Sequence, residues 1–178
     1  MNLIEELKVQ FKSGSNLMRI IYINSAVFLL VAIVKMFAFL FRTPDIADTL
    51  ISFLAVPADL NELVRKPWTI FTYMFLHEGF IHLLFNMLWL YWFARIFLQY
   101  FDHKKLLNLY ILGGLAGALV YIASFNLFPA FSEVTNISIA LGASASVMAV
   151  VIAVATYVPN YSVRLFLFGQ VKIKYIAI

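Results

Sequence analysis

Long apolar runs alternate with short polar breaks along this chain. Residues 18–41 form the first run and carry Asn24, Ser25 and Lys35. The second, 80–100, is dense in Leu, Phe and Trp but holds His82 and Asn86 in its first turns. Residues 106–128 make the third, and 140–158 the fourth, which stops at Pro159. A helix needs about 20 apolar residues to cross a bilayer, so each run predicts a transmembrane helix. Lys35 sits close enough to the end of its run to snorkel to the interface. Residues 42–79 break the pattern, because Arg42, Asp45, Asp48, Asp59, Glu62, Arg65 and Lys66 make them too polar to span. Within them 46–54 and 60–64 read as short amphipathic helices punctuated by Pro44, Pro57 and Pro67. That pattern predicts a first loop lying partly embedded in the interface, anchored by Trp68 and Tyr73. From about Tyr175 a fifth run begins, and the chain reads as the amino-terminal portion of a longer one.

Composition sharpens this picture. The 178 residues are 63% hydrophobic and only 12% charged, with a mean hydropathy of +0.91, which excludes an ordinary soluble domain. The expected fold class is all-α, a polytopic transmembrane helical bundle with the lipid bilayer as its partner. Zero cysteines exclude disulfides and thiolate chemistry. The net charge of +4 is not gathered on a polar face, so no nucleic acid is expected. Residues 1–17 read as a cytoplasmic tail rather than a cleavable signal. With that end inside, Lys8, Lys12, Arg19, Arg95, Lys104, Lys105, Arg164, Lys172 and Lys174 face the cytoplasm, against Arg42, Arg65 and Lys66 outside. This asymmetry satisfies the positive-inside rule, and a prokaryotic inner membrane is the expected location.

The fourth run opens Leu141-Gly142-Ala143-Ser144-Ala145-Ser146. One reading is packing: small residues let membrane helices approach closely. Gly142, Ala145, Ala149 and Ala153 supply them here, as Gly113 and Gly117 do in the third run. The other reading is chemical. With the tail inside, runs two and four both descend from the outer face. His82 and Asn86 then lie within about two turns of that face and Ser144 about one turn below it. His82 and Asn86 are four residues apart and share a helical face. Polar side chains inside a bilayer are costly and mark function. A serine hydroxyl becomes a nucleophile when a base takes its proton and donors hold the developing oxyanion, and His82 and Asn86 suit the donor role. The base stays open. His103 is roughly 31 Å from His82 along a helix, whereas His77 in the outer loop is not excluded by height. A zinc site is disfavoured, since His77-Glu78-Gly79-Phe80-Ile81-His82 has one residue more than H-E-x-x-H and no third ligand cluster accompanies it.

The block from Trp68 to His77, then His82-x-x-x-Asn86, then Gly142-Ala143-Ser144-Ala145 resembles the rhomboid intramembrane serine proteases over about half of the chain. The resemblance implies a six-helix core in which Ser144 is the nucleophile. His82, Asn86 and the Ser144 N–H would form the oxyanion hole. Substrates would be transmembrane proteins cut near the outer boundary, and no metal or organic cofactor is implied. Two departures stand out: Ala145 replaces the family's glycine after the serine, and the general-base histidine belongs to a sixth span beyond residue 178. Without it this form is expected to be inactive. A rhomboid-like pseudoprotease that binds transmembrane segments is the alternative. A transporter fragment with Lys35, His82 and Asn86 along a polar path is a third.

Overall fold

The computed structural model describes residues 15–165 and 169–175; most of the tail, and residues 176–178 of the expected fifth span, fall outside them. Helix α1 (Asn16–Leu40) starts where the Ser15 hydroxyl accepts the Met18 N–H, one of the orphan donors of a helix start. Next come α2 (Pro44–Leu54), with proline at its head, and α3 (Leu60–Arg65), capped by the Asp59 carboxylate on Asn61 and Glu62 N–H. The short α4 (Thr69–Thr72) runs into a 3-10 turn, Tyr73–Phe75. Then follow α5 (Phe80–Phe97), α6 (His103–Leu127) and α7 (Ser144–Tyr157).

Three of these, α1, α5 and α6, are long and apolar enough to cross a membrane, and the chain is an integral membrane protein. The all-α expectation holds for the body of the fold. Leu29, Leu30, Ile33 and Phe37 of α1 stay exposed, as lipid-facing residues do where no water drives them inward. The core lies between α5, α6 and α7, around Leu90, Phe93, Ala94, Leu106, Tyr110, Val150, Val151 and Val154.

The loop between α1 and α5 is tied in at several points. Trp68 Nε1 donates to the Phe53 carbonyl at 2.8 Å and Thr72 Oγ1 to the Leu54 carbonyl at 2.7 Å. Asn24 Nδ2 of α1 donates to the Tyr110 hydroxyl of α6 at 3.2 Å, and that hydroxyl donates to the Met74 carbonyl at 3.1 Å. Strand β1 (Val56–Pro57) pairs antiparallel with β2 (Ile139–Ala140), joining Val56 to Ala140 and Pro57 to Ile139. The loop therefore reaches across the bundle to the segment that leads into α7.

Several expectations need correction. Tyr73 does not anchor the interface: it is buried, with its hydroxyl donating to the Gly114 carbonyl of α6, because a phenol in an apolar setting seeks an internal acceptor. The fourth helix begins four residues later than its apolar run, since Ile139 and Ala140 are spent on β2 and Gly142 takes φ +121°. After α7 the chain forms a hairpin of β3 (Ser162–Leu165) and β4 (Gly169–Lys172), and Tyr175 closes a 3-10 turn. The fifth span expected from about Tyr175 runs into residues 176–178, outside the described residues.

Candidate active site

The site begins with the fit of α6 to α7. A Cβ placed on Gly113 would collide with the Ala149 methyl, and one on Gly117 with the Ala145 methyl. At Gly114 it would stand 2.7 Å from the Ser146 Oγ and 2.6 Å from the Met74 Cε. Glycines and alanines thus set the two backbones in direct contact, with Gly113, Gly117 and Ala145 at the seam. Gly142 differs from these three. It leaves the helix–helix seam and lies against an imidazole, where a Cβ would be 2.8 Å from His82 Cε1 and 3.0 Å from Nε2. Its positive φ and this close approach both call for glycine.

The turn ahead of α7 is held amide by amide. The Gly142 N–H donates to the Tyr73 carbonyl at 2.9 Å, and the Ala143 N–H to His77 Nε2 at 3.5 Å. Val147 N–H makes the first helical bond, to the Ala143 carbonyl at 2.9 Å. Ser144, the first residue of α7, therefore has an N–H with no helical acceptor and stands where the helix dipole is positive. It lies at the head of the helix, not one turn into it. Its side chain is exposed, on the α7 face that continues through Met148 and Ile152, and among the described residues its hydroxyl has no hydrogen-bond partner.

Ser144 and Asn86 line one groove of about 240 Å³ between α5 and α7, walled by Phe85, Trp89, Val147, Met148 and Val151. Asn86 is largely buried, and its Nδ2 donates back to the His82 carbonyl at 2.9 Å; the amide's second hydrogen is left for another acceptor. His82 opens instead onto a cavity of about 510 Å³ with Asp48, Ile51, Glu78 and residues 139–141. The structure thus brings Asn86 and Ser144 to one groove and sets His82 against the turn two residues ahead of Ser144.

The remaining histidines occupy other places. His77 is fully buried, with its ring 5.1 Å from that of His82 at 65°. Burial first, and then the His82 imidazole, push its pKa down to about 4, with the Phe75 carbonyl opposing. Its Nε2 is taken by Ala143, so His77 is not placed as the base left open by the sequence. His103 begins α6, where its carbonyl accepts from Asn16 Nδ2 at the far end of the bundle. The described residues contain no group of three or more His, Cys, Asp or Glu side chains placed to hold a metal.

Together these features define a polytopic helical membrane protein that presents a serine at a helix N-terminus, beside an asparagine and a histidine from a neighbouring span. The Rhomboid domain family model matches residues 64–178, and the chain belongs to the rhomboid family. No curated protein matches it. Membership makes it an intramembrane protease or pseudoprotease of that family.

Proposed function

We propose that this chain carries the nucleophile of an intramembrane serine endopeptidase that cuts transmembrane proteins near the outer membrane boundary. The observation that carries the reading is the setting of Ser144: exposed, at the first residue of α7, with a backbone N–H that has no helical acceptor and Asn86 in the same groove. In this mechanism the Ser144 oxygen attacks the scissile carbonyl while its proton passes to a base. The oxyanion is held by the Ser144 N–H, the Asn86 amide and the His82 imidazole, preorganised donors of the kind that lower such barriers most. Collapse breaks the C–N bond, the amine leaves with the proton, and water then releases the acyl group from Ser144. The base is a histidine from beyond residue 178, and the open face of Ser144, Met148 and Ile152 is where its helix and the substrate would seat. The amino terminus is assigned to the cytoplasm of a prokaryotic cell.

A second reading is a pseudoprotease that binds transmembrane segments without cutting them. It is favoured by the histidines of the described residues, of which His77 is committed to Ala143 and His103 stands at the far end. A fluorophosphonate probe applied to the complete protein separates the two. Labelling that disappears in Ser144→Ala supports the protease; absence of labelling and of cleavage of a single-span substrate supports the binder.

A further inference from the structure

The two amides before Ser144 are both held by the same short stretch of the α1–α5 loop: Gly142 by the Tyr73 carbonyl, Ala143 by His77 Nε2. Among the described residues, the next amide, that of Ser144, is the first one left without an acceptor. Of the two anchors, His77 is the one that depends on a side chain. It is completely buried, five residues before His82, and its ring meets the His82 ring edge to face at 5.1 Å. His82 in turn lies under Gly142, within 3.0 Å of where a Cβ would be. One imidazole thus touches both halves of the site: it pins the turn through Ala143 and it backs the histidine on which Gly142 rests.

We propose that His77 is the positioning residue of this site, an acceptor whose Nε2 fixes the 142–144 turn and thereby aims the Ser144 N–H and hydroxyl. The inference rests on the protease reading for its effect on rate, though not for the clamp itself. An Nε2 that accepts from Ala143 requires the tautomer with hydrogen on Nδ1. No proton moves on or off His77 during the reaction, so a neutral acceptor of the same reach can replace it. Gln is such a residue, because its amide oxygen extends about as far from the backbone as Nε2. Leu fills the space without an acceptor.

In the complete protein, His77→Gln is expected to keep the fluorophosphonate labelling rate and kcat within several-fold of the parent. His77→Leu is expected to lose on the order of 10²-fold in kcat with KM little changed, the loss that follows when a reacting group is misplaced by about 1 Å. Gln as impaired as Leu, with both variants folded, would overturn the proposal, as would Leu at parental rate. A measurement without any variant guards against a Leu form that fails to fold. The ¹⁵N spectrum of the parent should show Nδ1 protonated and Nε2 bare at His77, with the Ala143 amide protected from exchange. The opposite tautomer overturns the clamp. Running Ser144→Ala alongside keeps the two ideas apart: labelling that survives it removes the protease reading, while the tautomer still judges His77.

Discussion

Ser144 and Ser146 are two residues apart on one helix and live in different worlds. Ser146 is fully buried against Gly114 of α6, and among the described residues its hydroxyl has no hydrogen-bond partner. Ser144 is exposed on the opposite side, in a groove it shares with Asn86. Small residues at the head of the fourth run invited either a packing or a chemical reading, and the contrast divides them between two faces. Ala145, Ser146 and Ala149 let α6 come close, whereas Ser144 contributes nothing to that contact. A hydroxyl that packing does not need asks for another use.

The sharpest way to break the contrast is to exchange what each serine loses. Ser144→Ala in the complete protein should reduce cleavage by 10³-fold or more, the scale seen when a nucleophile is removed, with thermal unfolding unchanged. Next in size is the seam. Gly117→Leu places its side chain on the Ala145 methyl, and overpacking of this kind costs about 1–3 kcal/mol. Unfolding in detergent should register that loss, with activity falling because α7 is displaced.

Acidification probes the turn between the two faces. The folded-state pKa of His77 lies near 4, below the usual value of about 6.5. Its contribution is therefore intact above about pH 6.5 and lost as pH falls through about 4. Stability should drop over that window by at most about 3 kcal/mol. His77→Gln should flatten this part of the profile, and an unchanged slope would remove His77 as its source. The smallest effect belongs to Ser146→Ala, which deletes a buried hydroxyl without a partner. It should leave activity intact and raise stability by up to about 1 kcal/mol.

Much of this was readable from the chain alone. The apolar runs announced four helices because a membrane span has to be apolar along nearly its whole length. Ser15, Asp59 and Asp102 cap helix starts in the structure, a local signal that the apolar runs do not carry. The family likeness rested on spacings that survive without coordinates. What escaped was tertiary. Strands β1 and β2 are two residues each, too short for any alternation to show. Tyr73 looked like an interfacial aromatic because its inward acceptor, the Gly114 carbonyl, lies 41 positions away. Ser144 moved to the helix head because Gly142 turns the chain, and the glycine itself was the available signal. The partnership of His77 with Ala143 spans 66 positions and leaves no local trace.

The loop between α1 and α5 grips the approach to α7 on both sides, through Val56 and Pro57 at β2 and through Tyr73 and His77 at the turn. Its exposed aromatics, Phe53, Trp68 and Phe71, are suited to the headgroup layer. Loop and turn are thus one mechanical piece, and a thinner or thicker bilayer that lifts or lowers those rings would tilt the serine along with them.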